Sequence, residues 1–385
     1  MKKIICYILI ISTLLQYALA APVFPELAAP SAILIEKETG TVLYEKESHS
    51  HLPPASVTKV MTLLLVMESI KSGKISFDDI VTVSEYAAGM GGSQVFLSPG
   101  EQMSVHELLK ATVVSSGNDS AVALAEHIAG SETGFVEMMN QKARDLGMAD
   151  TTFKNCTGLD TEGHITSAND IAVMSRELIK HDKIKEYTKI WTDSIRDGKF
   201  QLANTNKLIR TYKGITGLKT GSTSIAKFCL SATAERDGME LIAVIMAAPD
   251  TKTRFREAAS LLNYGFANSS VYQHSIEQSL LPELTLEGGT EPSIRLQMEE
   301  PFAHLFLNGE NTDSVKYEVV TEAVCEAPIH CGQILGAVVY KYEDREIGRV
   351  NLVAVKDYKK AEFRDIMNKT FQLFFTRETH LSGAE

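Results

Sequence analysis

Residues 53–67 read PPASVTKVMTLLLVM, and the fold of the chain is organised around this stretch. The two prolines favour an extended approach, and the residues that follow are apolar almost all the way round a helix. Because such a helix buries every face, the stretch predicts a helix inside a globular domain. Ser56 and Lys59 lie at the beginning of this helix.

Ser56 and Lys59 are three residues apart, a spacing that places both side chains on one face of a helix. Burial in an apolar helix favours the neutral form of the lysine amine. A neutral amine beside a serine hydroxyl can accept its proton, so the pair is a candidate nucleophile and general base. The alternative is a core lysine whose amine reaches solvent. The pattern alone does not decide, because residues 224–227 repeat it.

The 385-residue chain has an ordinary globular composition, with 44% hydrophobic and 23% charged residues. Its length predicts two domains, or one large domain with an appendage. The formal net charge of -11 argues against a nucleic-acid partner, which would require a basic stripe. The four cysteines after residue 20 match neither a zinc site nor a dense disulfide framework. Cys325 and Cys331 are close enough in sequence to close a small loop, and their redox state stays open.

The first twenty residues have the three parts of a secretory signal peptide. A basic start at residues 1–3 is followed by an apolar run over residues 4–15 and by the small residues around Leu19. A retained membrane helix is the alternative, but the run is short for spanning a bilayer. We therefore expect residues 1–20 to be removed and the mature protein to act outside the cytoplasmic membrane.

Secondary-structure patterns predict an α+β fold. Residues 32–45 read as an antiparallel hairpin, and helical segments dominate from residue 56 to about residue 180. A β-hairpin and a helix follow from Leu218, and short alternating segments from about residue 271 predict a small β-sandwich. We expect an antiparallel sheet flanked by helices and an all-helical region, followed by this sandwich. The glycine-rich residues 87–93 lack the lysine of a P-loop and predict only a flexible loop.

Two polar segments supply further groups that a nucleophilic serine needs. Residues 115–120, SSGNDS, interrupt an apolar helical region, and Ser116 and Asn118 there can supply a proton relay and an amide donor. Residues 219–222, KTGS, open the β-rich region. There Lys219 is a cation for an anionic substrate end, Thr220 can hydrogen-bond a carboxylate, and Gly221 lets substrate lie along the strand edge.

The three motifs Ser-x-x-Lys at Ser56, Ser-x-Asn at Ser116 and Lys-Thr-Gly at Lys219, in that order, resemble those of the penicillin-recognising serine enzymes. More narrowly, the chain resembles a low-molecular-mass penicillin-binding protein, a D-alanyl-D-alanine carboxypeptidase. The similarity covers about residues 27–266 and includes residues 155–159 and the segment around His164. It implies a penicillin-binding transpeptidase-like catalytic domain, with no metal or cofactor.

The resemblance also implies roles for the motif residues. Ser56 would attack the carbonyl of the penultimate D-alanine of a peptidoglycan pentapeptide stem and form an acyl-enzyme. Lys59 would accept the serine proton, and Ser116 would pass it to the departing D-alanine. β-Lactam antibiotics would inhibit the enzyme. The expected substrate-binding residues are Asn118, Lys219, Thr220, Gly221 and Ser222, with the backbone N–H groups of Ser56 and Ser222 around the oxyanion.

Other functions fit the sequence less well. A class A β-lactamase needs a deacylating glutamate after the second motif, and residues 149–159 offer none in a Glu-x-x-x-Asn setting. A zinc peptidase needs a ligand cluster such as His-Glu-x-x-His, which the sequence lacks. The alternatives that stay open are a D,D-endopeptidase acting on cross-linked peptidoglycan and a catalytically silent cell-wall binding module.

The end of the chain predicts a basic amphipathic helix. Apolar residues recur at helical spacing from Phe363 to Phe375, with lysine and arginine among them, a pattern typical of helices in a membrane interface. The alternative is a helix docked on the β-sandwich. The expected organisation is therefore a signal peptide (1–20), a catalytic domain (21–268), a β-sandwich (269–356) and a membrane-associating tail (357–385). This places the protein at the outer face of the cytoplasmic membrane or in the cell-wall space.

Overall fold

The computed structural model of the chain describes residues 25–307, 310, 312–367 and 371. The predicted signal peptide and most of the predicted tail lie outside the described residues. The helices are α1 (Lys59–Lys71), α2 (Glu85–Ala88), α3 (Val105–Val114), α4 (Asn118–Ala129), α5 (Glu132–Asp145), α6 (Ala168–Ile179), α7 (Ile184–Thr188), α8 (Leu208–Thr211) and α9 (Thr251–Asn268).

The strands are short in the helical region and long in the main sheet. They are β1 (Ser31–Glu36), β2 (Val42–Lys46), β3 (Ile80–Thr82), β4 (Gln102–Ser104), β5 (Thr192–Ile195), β6 (Phe200–Ala203), β7 (Ile215–Thr223), β8 (Lys227–Arg236), β9 (Met239–Ala248), β10 (Ser269–His274), β11 (Leu284–Glu287), β12 (Ser293–Ile294), β13 (Leu296–Met298), β14 (Phe302–Leu307), β15 (Lys316–Thr321), β16 (Val324–Glu326), β17 (Ile334–Tyr342) and β18 (Arg345–Ala354).

The main sheet is antiparallel and has the strand order β2-β1-β9-β8-β7. Its centre, β9, is apolar along nearly its whole length, because helices cover both faces of the sheet. Ile242, Val244 and Met246 pack in the core that contains α1 and α6, whereas the alternating residues Leu241 and Ala243 pack against α9. Strand β7, which contains residues 219–222, lies at one edge of this sheet.

Helix α1 lies in the centre of the helical region and is buried from Lys59 to Met67, as the apolar stretch predicted. It packs against α4, α5 and α6. One detail differs from the prediction, because Ser56 belongs to a 3₁₀ turn, Ala55–Thr58, that precedes α1. Ala55 has a φ of 48°, so the chain enters this turn through a left-handed residue and not through a regular helical start.

The C-terminal region is built from β-strands, as predicted. A four-stranded sheet has the order β13-β18-β17-β15, and smaller sheets pair β12-β11-β16 and β10-β14. A separate core that includes Leu296, Val338, Tyr340 and Leu352 holds it together. Cys325 and Cys331 are free thiols, as are the buried Cys156 and Cys229.

Candidate active site

Lys59 is the residue on which the polar groups of the site converge. Its Nζ lies 3.2 Å from Ser56 Oγ, 2.5 Å from Asn118 Oδ1 and 2.7 Å from the carbonyl oxygen of Thr157. The side chain is fully buried, and this loss of hydration lowers its pKa to about 7, although Cys156 and Asp119 act in the opposite direction. A large fraction of the amine is therefore neutral at physiological pH and able to accept the proton of Ser56.

The second copy of the Ser-x-x-Lys pattern has a different environment. Residues 224–227 lie at the turn between β7 and β8, and both Ser224 and Lys227 are exposed. An exposed amine keeps its hydration, so this copy lacks the burial that activates Lys59. The structure thus separates the two patterns that the sequence alone left equivalent.

Asn118 is more heavily engaged than the prediction of a substrate-binding side chain implied. Its Oδ1 accepts from Lys59, and its Nδ2 donates to the carbonyl of Gly91 at 2.7 Å. Its backbone N–H donates to Ser93 at 2.7 Å. The loop over residues 87–93 was predicted to be flexible, but two of these bonds tie it to Asn118, and its first two residues end α2.

Ser116 and Lys219 form a second buried pair. Lys219 Nζ donates to Ser116 Oγ at 2.8 Å and to the carbonyl of Thr220 at 2.9 Å. Burial, followed by the positive charges of Lys59 and Arg254, holds the pKa of Lys219 well below its usual value. The sequence interpretation had Lys219 facing a substrate carboxylate; in the structure it is buried and already bonded to the proposed relay. Ser116 has a φ of 62° and is held in the left-handed region.

Gly221 is required for a reason that the sequence did not reveal. A Cβ atom at this position would lie 2.8 Å from the backbone nitrogen of Ser56 and 2.9 Å from the carbonyl oxygen of Pro54. The expectation was that glycine leaves room for substrate along the strand edge, but its close neighbour is the turn that carries Ser56. Because Gly221 has no side chain, the backbone of β7 lies against the Ser56 turn. The next residue, Ser222, is exposed.

Gly158 also lies against the Ser56 turn, next to Ala55. Its φ is 86°, and an added Cβ atom would lie 1.8 Å from the carbonyl oxygen of Ala55. Asn155 fixes this segment, since its Oδ1 accepts from the backbone N–H groups of Thr157 and Gly158. The segment in turn presents the Thr157 carbonyl to Lys59. Two glycines, Gly158 and Gly221, therefore pack against the Ser56 turn at positions that leave no room for a side chain.

Thr205 is a site residue that the sequence analysis missed. Thr220 Oγ1 donates to Thr205 Oγ1 at 2.7 Å, and Thr205 is exposed beside β7. The buried Asn204 and Asn206 fix the loop that carries it: Asn204 Nδ2 donates to the Ile190 carbonyl, and Asn206 Nδ2 donates to that of Gly217. No local pattern marks an isolated threonine in a loop.

Two other contributors come from distant segments. Arg254, in the first turn of α9, is buried and donates to the carbonyls of Gly221 and Cys229 at 3.0 and 3.2 Å. Asp119 accepts from the backbone N–H groups of Val95 and Leu97. Asp119 directly follows Asn118, so its place in the motif was a usable signal, whereas an arginine in a long helix was not.

His164 lies in one of the segments that resemble the family, and its hydrogen bonds give it a structural role. Its Nδ1 accepts from the backbone N–H of Lys154 at 2.9 Å, so Nε2 carries the proton and donates to Thr58 Oγ1 at 2.8 Å. Burial lowers its pKa to about 4 and keeps it neutral. Within the described part of the chain, no cluster of histidine, cysteine or carboxylate side chains has the arrangement of a metal site.

Comparison with known proteins covers both regions of the chain. Residues 18–250 match the family model described as D-alanyl-D-alanine carboxypeptidase, and residues 277–360 match that of the penicillin-binding protein 5 C-terminal domain. The chain is 43% identical over 345 residues to D-alanyl-D-alanine carboxypeptidase DacF of Bacillus subtilis (strain 168), covering 89% of each chain. It is 31% identical to D-alanyl-D-alanine carboxypeptidase DacC of Escherichia coli (strain K12), covering 88% of this chain and 86% of the relative.

Solved structures give the same result. Penicillin binding protein 5 from Haemophilus influenzae superposes with a TM-score of 0.72 at 31% identity, over 88% of this chain and 99% of that one. Penicillin binding protein 6B from Escherichia coli superposes with a TM-score of 0.68 at 32% identity, over 86% of this chain and 97% of that one. Both regions of the fold are therefore shared with these proteins.

Proposed function

This chain belongs to the D-alanyl-D-alanine carboxypeptidase family, and from that premise we propose that Ser56 is the nucleophile with which it removes the terminal D-alanine from peptidoglycan stem peptides. The protein is a serine-type carboxypeptidase of the low-molecular-mass penicillin-binding class. The observation that carries the assignment of Ser56 is the buried amine of Lys59, 3.2 Å from Ser56 Oγ.

The proposed reaction transfers an acyl group in two steps. Lys59 accepts the proton of Ser56 as Oγ attacks the carbonyl carbon of the penultimate D-alanine, and the backbone N–H groups of Ser56 and Ser222 stabilise the oxyanion. The bond to the terminal D-alanine then breaks, and Ser116 passes a proton to the departing amine. Water attacks the ester in the second step, which releases the shortened peptide and restores Ser56.

Recognition of the terminal carboxylate is assigned to residues at β7. Lys219, Thr220 and the exposed backbone edge next to Ser222 lie on the strand that borders the Ser56 turn. A bound carboxylate would favour the protonated form of Lys219, because an opposite charge within a few ångströms offsets its desolvation. Asn118 would act mainly by holding Lys59 in place, since both ends of its amide already have partners in the protein.

We expect the protein to release free D-alanine from a pentapeptide that ends in D-Ala-D-Ala, and to cleave the C-terminal amide of the same peptide roughly 10- to 100-fold more slowly. Losing a charge-assisted contact of about 1.5 to 3 kcal/mol accounts for this difference. The measurement is the rate of peptide cleavage, followed as release of D-alanine from the acid, of D-alaninamide from the amide, and of the two separated peptides from a cross-linked dimer offered as the competing substrate. Equal rates on acid and amide would contradict carboxylate recognition, and preferential cleavage of the dimer would favour the endopeptidase alternative.

The place of action is proposed to be the outer face of the cytoplasmic membrane, after removal of residues 1–20. In support, Phe363, Ile366, Met367 and Phe371 expose much of their apolar surface at the end of the described chain. Within the described residues, no helix is both long and apolar enough to cross a membrane. We propose that residues 357–385 form a peripheral anchor, following a catalytic domain over residues 21–268 and a β-sandwich over residues 269–356.

Removing residues 362–385 should abolish flotation with anionic liposomes while carboxypeptidase activity on a soluble pentapeptide is retained. The truncation preserves the backbone bond from Ala361 to Gly288, which ties the preceding segment to the β-rich region. Flotation of the full chain should weaken at high salt, since basic side chains contribute to this kind of binding. Unchanged flotation of the truncated protein, or loss of its folded structure, would instead assign the tail to the β-sandwich.

A further inference from the structure

Glu132 is a partly buried carboxylate at the first position of α5, and no step of the proposed acyl transfer uses it. Its Oε1 accepts from the backbone N–H of Cys156 at 3.0 Å, and its Oε2 accepts from the Tyr86 hydroxyl at 2.5 Å. Tyr86 belongs to α2, whereas Cys156 belongs to the loop between α5 and α6. One side chain thus joins two segments that are far apart in the sequence.

The first of these segments leads from α2 to Asn118. The chain passes from Tyr86 to Gly91, whose carbonyl accepts from Asn118 Nδ2, and to Ser93, whose carbonyl accepts from the Asn118 backbone N–H. Asn118 Oδ1 in turn accepts from Lys59 Nζ at 2.5 Å. Because the two ends of an amide side chain move together, the bond to Gly91 sets the direction in which Oδ1 faces.

The second segment leads from Cys156 to Thr157. The N–H of Cys156 donates to Glu132, and its carbonyl accepts from Thr62 Oγ1 at 2.7 Å. The next carbonyl, that of Thr157, accepts from Lys59 Nζ at 2.7 Å. Both backbone groups of Cys156 are therefore held, and the planar peptide that follows them has a fixed direction.

Two of the three acceptors of the Lys59 amine are thus attached to segments that meet at Glu132. A carboxylate makes stronger hydrogen bonds than a neutral acceptor, so the junction is a firm one. Glu126 offers a comparison. Its Oε2 accepts from Ser84 Oγ at the beginning of α2 at 2.7 Å, but within the described residues no hydrogen bond joins its carboxylate to residues 155–158.

We propose that Glu132 is a positioning residue for the general base. By joining α2 to the α5–α6 loop, it holds Asn118 Oδ1 and the Thr157 carbonyl where they direct the Lys59 amine at Ser56 Oγ. The inference rests on the proposed function, because it requires Lys59 to be the base. It concerns the orientation of the base and not contact with substrate, so the rate of the chemical step depends on Glu132 and the binding of the peptide at β7 does not.

Glu132→Ala should lower kcat for D-alanine release from a soluble pentapeptide by at least about tenfold, a part of the roughly 10²- to 10⁴-fold that a general base contributes, and should leave KM unchanged. Glu132→Gln should restore most of the loss, because its amide accepts from the Cys156 N–H and donates to the Tyr86 oxygen. The matched control Glu126→Ala should keep the kcat of the parent.

Tyr86→Phe removes only the bond to α2, at a side chain that is 55% exposed, so it tests the inference even if Glu132→Ala fails to fold. We expect its kcat to lie between those of the parent and Glu132→Ala, with KM unchanged. A Tyr86→Phe variant as active as the parent would overturn the proposed junction between the two segments.

A double-mutant cycle separates positioning of the base from a general loss of structure. If Glu132 acts through Lys59, Glu132→Ala should cause no further loss of penicillin acylation in the Lys59→Met variant. The same loss in both backgrounds, a raised KM with unchanged kcat, or a Glu132→Gln variant no better than Glu132→Ala would overturn the inference, while D-alanine release by the parent still supports the proposed function. Absence of D-alanine release by the parent, or full acylation of Lys59→Met, would overturn both.

Discussion

Ser56→Ala should abolish the covalent adduct with penicillin and lower kcat/KM for D-alanine release by about 10⁶-fold, as loss of the nucleophile does in serine hydrolases. The Ser56 hydroxyl lies 3.2 Å from the amine of Lys59, and burial lowers the pKa of that amine to about 7. The measurement is intact mass after incubation with a labelled penicillin, followed by peptide mapping. In the parent protein the adduct should map to the peptide that contains Ser56.

Ser224→Ala is the matched control, because Ser224 has the same Ser-x-x-Lys spacing at an exposed turn. This variant should form the adduct as the parent does. An adduct on Ser224 or Ser116 would show that the nucleophile is assigned wrongly. Comparison of thermal unfolding between the parent and Ser56→Ala separates loss of chemistry from loss of structure.

Lys59→Met should lower the rate of acylation by about 10²- to 10⁴-fold, the usual contribution of a general base. The pH dependence of the parent identifies the group. Only neutral Lys59 can accept the serine proton, so kcat/KM should fall about tenfold per pH unit below a pKa of about 7 and level off above it. The measurement is the second-order rate of penicillin acylation between pH 5.5 and 8.5.

The control for this prediction is Lys227→Met, the lysine of the exposed copy, which should keep both the rate and the pH profile of the parent. His164 does not account for an inflection near pH 7, since burial lowers its pKa to about 4. A flat profile in the parent, or the same inflection in Lys59→Met, would exclude Lys59 as the base.

The features that could be predicted from the sequence alone are those that depend on local spacing. The apolar run after Ser56 predicted a buried helix, and the three-residue spacing predicted that Lys59 and Ser56 meet, as they do. The alternation of helical and β-like segments predicted a mixed catalytic region followed by strands. These features depend on periodicity within a few turns of chain, which a sequence displays directly.

Features that depend on contacts between distant segments were missed or misread. Gly158 approaches Ala55 across about 100 residues of sequence, and Arg254 reaches Gly221 from another helix. The loop over residues 87–93 was predicted to be flexible, and its hydrogen bond with Asn118 was missed because Asn118 belongs to a different motif. Lys219 was expected to have no buried partner in the protein, but its Nζ is buried and donates to Ser116 Oγ. None of these pairings leaves a trace in composition or spacing.

The two buried amines have a consequence for how this protein evolves. Folding alone would favour methionine or leucine at Lys59 and Lys219, because dehydrating an amine opposes folding and an apolar side chain of similar length does not. Mutational drift filtered only for stability would therefore erase both lysines. Their presence in a well-packed interior means that selection acts here on chemistry at the expense of stability, and that stabilising variants will be found most easily where the enzyme is inactivated.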